Sequence, residues 1–132
     1  VAIGANDAHT VKVFREAEAY NGPSIIIAYA HCISHGIDMI NGLDQQKRAV
    51  ESGHWILMRY NPDLRKEGKN PLIIDSKQPT LQLKEYIGNE TRYKGLFISN
   101  PKEAEKLLQE EENDIKAKWD YYTYMAEMKM GN

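Results

Sequence analysis

The sequence predicts an α/β fold, part of a parallel-sheet layer structure that ends in a long C-terminal helix. Three observations predict it. Val1-Ala2-Ile3 favours extended backbone and stops at Gly4, like the last residues of a strand. After an amphipathic helical pattern comes a continuous apolar run, Ser24–Ala30. A run without alternation reads as a strand covered on both faces, so strand end, helix and strand make most of a βαβ unit with parallel strands. Downstream, Asn100-Pro101-Lys102-Glu103 opens a helix with an Asn cap and Pro at the first helical position.

Each element follows in order. Asn6 or Asp7 caps the first helix by accepting from the free N–H groups of its first turn. Ala8, Val11, Phe14 and Ala17 share one stripe of that helix, with Lys12, Arg15, Glu16 and Glu18 largely off it. Asn21-Gly22-Pro23 stops it. The loop His31–Leu43 lies beyond the carboxyl end of the Ser24–Ala30 strand, where open parallel sheets bind ligands. A short helix from about Asp44 to Ser52 is capped by Asp44 and ended by Gly53, and Trp55–Tyr60 reads as another strand. Leu64–Asn70 is expected to be a polar loop, Pro71–Asp75 a short extended piece and Thr80–Ile87 a weak helix. The last helix should run to about Met128, with Ala104, Leu107, Leu108, Ile115, Trp119, Tyr122 and Ala126 as its apolar stripe. Two strands and a strand stub cannot close a covered parallel sheet, and an edge exposing Ile25–Ala30 would invite aggregation. Further strands are therefore expected N-terminal to Val1, and a chain starting with Val instead of Met reads as a processed or excised segment.

At 132 residues and 15.1 kDa the chain is one small domain or a piece of a larger one. Seventeen basic and nineteen acidic side chains leave a formal charge of −2, spread evenly: five basic and six acidic over residues 1–60, twelve and thirteen over 61–132. Neither part has the basic excess that a phosphate backbone demands, which argues against nucleic-acid binding. The longest apolar run falls far short of the roughly 20 residues that cross a bilayer, and no export signal opens the chain. The single cysteine, Cys32, excludes an internal disulfide and a multi-thiolate zinc site, and fits a reducing, cytoplasmic setting. Charged side chains become denser after Pro62. The chain accordingly divides into residues 1–62, the α/β part, and 63–132, a charged and mostly helical extension of the same domain.

Cys32 lies in Tyr29-Ala30-His31-Cys32-Ile33-Ser34-His35-Gly36, directly after the apolar run. Two readings stand side by side: a buried structural thiol, or a functional thiol on a strand-end loop. A nucleophilic thiol needs a neighbouring base, for which His31 and His35 are the candidates. Cys32 and His35 also have a C-x-x-H spacing, but two ligands do not close a metal site. His9 reads as a surface residue of the first helix and His54 as a packing residue before Trp55. Glu110-Glu111-Glu112 reads as a solvated helix face. Trp119, Tyr121, Tyr122 and Tyr124 read as core or interface packing, since no basic groove accompanies them. Gly4-Ala5-Asn6 is too short for a phosphate-cradling loop.

In this order, Phe14-Arg15-Glu16-Ala17-Glu18-Ala19-Tyr20, Gly22-Pro23-Ser24, Ile26-Ile27-Ala28-Tyr29-Ala30, Cys32-Ile33 and His35-Gly36 resemble the C-terminal region of pyruvate:ferredoxin (flavodoxin) oxidoreductases. So do Lys47-Arg48-Ala49-Val50, Gly53 with Trp55, Arg59-Tyr60-Asn61-Pro62, Gly68-Lys69-Asn70-Pro71 and Asp75-Ser76-Lys77. The resemblance covers nearly the whole chain. It implies the C-terminal part of a thiamine-diphosphate-binding domain, in an enzyme that oxidatively decarboxylates a 2-oxo acid, pyruvate being expected. Electrons then leave singly through 4Fe-4S clusters to ferredoxin or flavodoxin, and coenzyme A takes the acyl group.

The resemblance assigns Cys32 as a ligand of the 4Fe-4S cluster nearest the thiamine. His31 stands where the family more often has Pro or Thr, which alters the surroundings of Cys32 without removing the ligand. The other cluster cysteines, and the segment that holds thiamine diphosphate and Mg2+, are expected upstream. The resemblance further implies a homodimer, with the remainder of the polypeptide as the chain's immediate partner; from charge and apolar-run length, no nucleic acid or membrane partner is expected. No catalytic residue is expected in the chain, and alone it should be inactive. Two other readings are kept: a free-standing interaction or assembly module, docking through the charged second half and its long helix, and a thiol enzyme using Cys32 with His35.

Overall fold

In a computed structural model the first and last α-helices begin where an Asn side chain satisfies a loose N–H group. The structure describes residues 1–129, so the last three residues of the expected 63–132 extension lie outside the described residues. Helix α1 spans Asp7–Ala19, and Asn6 caps it by accepting from the His9 N–H at 2.8 Å. Helix α2 spans Gly42–Glu51. It starts earlier than expected, so Asp44 is not the cap; it sits in the first turn, where a negative charge suits the helix dipole. Helices α3 (Leu83–Ile87), α4 (Thr91–Ser99) and α5 (Pro101–Glu127) follow. Asn100 caps α5 with Pro101 in the first turn, as its sequence predicts. No described helix is long and apolar enough to cross a membrane.

The sheet departs from expectation. Strands β1 (Met58–Tyr60) and β2 (Leu72–Ile74) form a two-stranded antiparallel ladder, pairing Met58 with Ile74, Arg59 with Ile73 and Tyr60 with Leu72. The Pro71–Asp75 piece is thus extended, but its partner is only the end of the Trp55–Tyr60 run. Between them Pro62–Glu67 winds into a 3-10 helix where an irregular loop was expected. Ser24–Ala30 forms no strand, and Ile25 and Ile27 are 89% and 68% exposed. One trace of the parallel arrangement exists. The Val1 amino group donates to the Ile27 carbonyl and the Tyr29 N–H to the Val1 carbonyl, each at 2.9 Å. These two bonds flank Ala28 as one rung of a parallel ladder would. A single rung, with no further backbone ladder bond to the run among the described residues, does not hold seven residues as a strand.

The buried side of α1 is also not the expected one. Val11 and Phe14 are 59% and 52% exposed, whereas His9 and Thr10 are buried. An ionic clamp sets this orientation. Arg59 donates to both oxygens of Asp75 at 2.7 Å and to Glu16 of α1 at 2.8 and 3.0 Å. His9 Nε2 donates to Asp75 at 3.0 Å. Two-pronged arginine–carboxylate pairs are among the stronger polar contacts in proteins, and here they turn the apolar stripe outward. His9, expected at the surface, is part of this clamp.

The core draws on both parts of the chain. Ala49 of α2, Leu83, Tyr86 and Ile87 of α3, and Leu108 and Ile115 of α5 are buried together, with Tyr29, Trp55, Tyr93 and Phe97 packed against them. Of the expected α5 stripe, Ala104, Leu108 and Ile115 are buried, Trp119, Tyr122 and Ala126 half-buried, and Leu107 exposed.

Two predictions follow from this packing. Ile115→Ala should lower the free energy of unfolding by roughly 2–5 kcal/mol, read by urea denaturation, because α5 cannot collapse onto the space left. The second concerns acid. Burial pushes the Asp75 carboxyl up, but the hydrogen bonds and charges of Arg59 and His9 outweigh it and hold the group below its ordinary value of 3.8. A depressed folded-state value gives stability that is present above about pH 3.8 and lost as pH falls from there through the folded-state value. Unfolding curves across that window should show the loss, and Asp75→Asn should flatten it.

Candidate functional site: the loop around Cys32

The loop from His31 is two 3-10 turns, Ile33–His35 and Met39–Asn41, separated by Gly36, Ile37 and Asp38. Cys32 immediately precedes the first turn, and its carbonyl accepts from the His35 N–H at 3.0 Å. Its side chain is exposed, which overturns the reading of a buried structural thiol. Gly36 reverses the chain at φ 72°, and a side chain there would meet Thr91.

The residues on either side of Cys32 are held by different elements. On the N-terminal flank, His31 Nδ1 lies 3.1 Å from Gln46 Nε2. Gln46 Oε1 accepts from the Gly4 N–H at 2.9 Å, so its amide nitrogen faces His31 and donates. The His31 ring rests on Gly42, where a Cβ would come within 2.4 Å of Nε2. On the C-terminal flank, His35 Nδ1 lies 2.5 Å from Glu90 Oε2, and Arg92 Nη1 lies 3.3 Å from His35 Nε2. Arginine only donates, so Nε2 accepts and Nδ1 carries the proton that goes to Glu90. Gln45 Nε2 donates to the other Glu90 oxygen and to the Tyr86 carbonyl, both at 3.0 Å. Thr91 donates to the Gly36 carbonyl from its hydroxyl at 2.7 Å and its N–H at 3.3 Å.

This geometry limits what His35 can do beside Cys32. Both His35 nitrogens are engaged by protein groups, so His35 is neither a spare base for the thiol nor a spare metal ligand. Among the described residues no group of three or more His, Cys, Asp or Glu side chains is placed to hold a metal ion. Cys32 offers one exposed thiol, and the donors among the described residues do not close a metal site by themselves.

The remaining candidates are structural. His54 packs on the Tyr86 ring at 5.0 Å with Glu111 at 3.5 Å, and burial, aided by Lys118, lowers its proton affinity. Glu110 and Glu111 are exposed and Glu112 half-buried on α5. Tyr121 and Tyr124 are exposed, while Trp119 and Tyr122 are half-buried. Gly4 serves Gln46 and no phosphate loop. Sequence reasoning missed Glu90, Gln45 and Gln46. The signal was present for the glutamines: Gly42, Gln45, Gln46 and Ala49 are buried at helical spacing, a periodicity hidden because two of its members are polar.

No family model matches the chain. Individual proteins do. The chain is 52% identical over 126 residues, 96% of its length, to the pyruvate-flavodoxin oxidoreductase of Trichormus variabilis, of which it covers 11%. It is 47% identical over 127 residues to the pyruvate:ferredoxin oxidoreductase of Moorella thermoacetica, covering 96% of the chain and 11% of that protein. Against the mitochondrial NADP(+) pyruvate dehydrogenase of Euglena gracilis, identity is 41% over 124 residues, covering 92% of the chain and 7% of that protein. The chain thus spans about a tenth of the length of these relatives. Along nearly all of its own length it is homologous to one segment of the pyruvate-flavodoxin and pyruvate:ferredoxin oxidoreductases.

Proposed function

We propose that the chain works as the C-terminal segment of a 2-oxoacid:ferredoxin or flavodoxin oxidoreductase, with pyruvate as the 2-oxo acid and coenzyme A as the acyl acceptor. The observation that carries this reading is the match to enzymes of that name along nearly the whole chain. In this reading the segment completes a thiamine-diphosphate-binding domain, and thiamine diphosphate and Mg2+ are held by segments upstream. A 4Fe-4S cluster, when bound, supplies one-electron transfer toward ferredoxin or flavodoxin. Cys32 contributes one thiolate to it, and the other ligands come from the rest of the polypeptide. An exposed thiol between two anchored flanks supports that assignment, because a ligand on a rigid loop fixes where the metal sits. The exposed Val11, Phe14, Ile25 and Ile27 support packing against the remaining polypeptide or a second subunit of a homodimer. The isolated chain is inactive in this reading.

Anaerobic spectroscopy on the full-length protein tests the ligand. Cys32→Ser should remove or convert one cluster, with loss of up to roughly four irons per polypeptide and a changed electron paramagnetic resonance spectrum. An unchanged spectrum and iron content would sink the assignment. The second reading, a free-standing interaction module, is favoured by the exposed Leu107, Tyr121 and Tyr124 of α5. Immunoblotting of the source cell with an antibody against this segment separates the two. The enzyme reading expects a band many times larger than 15.1 kDa, and a band at 15.1 kDa favours the module.

A further inference from the structure

We infer that Gln45, Gln46 and Glu90 are positioning residues that clamp the Cys32 loop from both flanks and so fix where its thiol is presented. This rests on the reading of Cys32 as an iron ligand and deepens it. Gln45 and Gln46 are adjacent on α2, so their side chains diverge by about 100° around the helix axis and reach opposite ends of the same short segment. Gln46 holds His31, the residue before Cys32. Gln45 holds Glu90, which holds His35, the last residue of the turn that Cys32 opens.

Both glutamines and Glu90 are buried, Glu90 at 1% exposure. Immobilising three long polar side chains costs more rotamer entropy and desolvation than an apolar trio would. Packing alone gives no reason for them, because Ala49 and Ile87 show that α2 and α3 can meet through apolar contact. Besides the Tyr86 carbonyl and the Gly4 N–H, the polar groups end on the two histidines that flank the thiol. Groups that orient a metal ligand without touching the metal set how firmly it is held, and hydrogen bonding near cluster sulfurs tunes the potential.

The test uses the full-length protein, reduced and titrated anaerobically. Gln46→Met keeps side-chain length while removing the bonds to His31 and Gly4, and Glu90→Gln weakens the acceptor between His35 and Gln45. Each should leave the Cys32-dependent cluster assembled but shift its midpoint potential and resonance line shape. A chelator should strip that cluster at roughly 10–100-fold lower concentration, with the other clusters unmoved. Folded variants with unchanged potential and chelator sensitivity overturn the proposal. Should the buried substitutions prevent folding, His31→Leu decides. His31 is half-buried and releases the same flank from the loop side, so a folded His31→Leu protein with an unshifted potential also overturns it. The two levels fail separately. A normal cluster in Cys32→Ser removes the ligand reading, whereas a lost cluster there with unaltered clamp variants removes the clamp alone.

Discussion

A carboxylate withdrawn from water must be paired or neutralised, and Glu90 meets that condition by joining three parts of the chain that are distant in sequence. One oxygen takes the Gln45 amide of α2 and the other takes His35 of the Cys32 loop. Its backbone precedes α4, whose first residue, Thr91, caps the Gly36 carbonyl. Remove the carboxylate and Gln45 and His35 each lose a partner at once. The position of the loop follows from that constraint. Gly36 is glycine because the chain must reverse against Thr91, and Gly42 is glycine because the His31 ring occupies the space of a side chain. Both exceptions to ordinary side-chain packing trace to how the loop is held.

The Arg59 clamp plays the corresponding part for α1 and the hairpin. Asp75 lies just past β2 and Arg59 within β1, so the hairpin brings the pair together, and Glu16 and His9 then fix the rotation of α1 against it. Charge, not hydrophobicity, chooses the face of α1 that is buried. Bonds to charged groups are worth about 1.5–3 kcal/mol each. That rivals burial of one Val or Phe side chain at roughly 1.5–3 kcal/mol, so several such bonds can leave two apolar side chains in solvent.

These two clamps explain what the sequence discloses and what it conceals. The starts of α1 and α5 are legible because capping is local: Asn6 and Asn100 each satisfy an N–H three residues on. The antiparallel ladder is not legible, since pairing Arg59 with Ile73 depends on a turn whose 3-10 character no single residue announces. Around the candidate site, Cys32 and its two histidines stand out by type and place. Glu90 does not, because a lone Glu in a charged stretch reads as solvated, and its burial arises from partners 45 and 55 residues away.

Ser24–Ala30 shows most clearly how pattern and structure part. An apolar run of this kind specifies a strand only when neighbours supply ladder bonds and cover both faces. This chain supplies one rung, through the Val1 backbone, in the parallel sense. The surfaces that the run and α1 would bury, Ile25, Ile27, Val11 and Phe14, face solvent together with Ile33 and Ile40. Side chains of that kind cost solubility wherever they are left in contact with water. The run thus carries the hydrophobic pattern of a sheet strand but has, among the described residues, only the Val1 backbone as a ladder partner, while the loop that follows, held by Gln46 and Glu90, keeps its shape from within. That division, an open apolar side beside an internally anchored thiol loop, is what the proposed role as one segment of a larger enzyme requires.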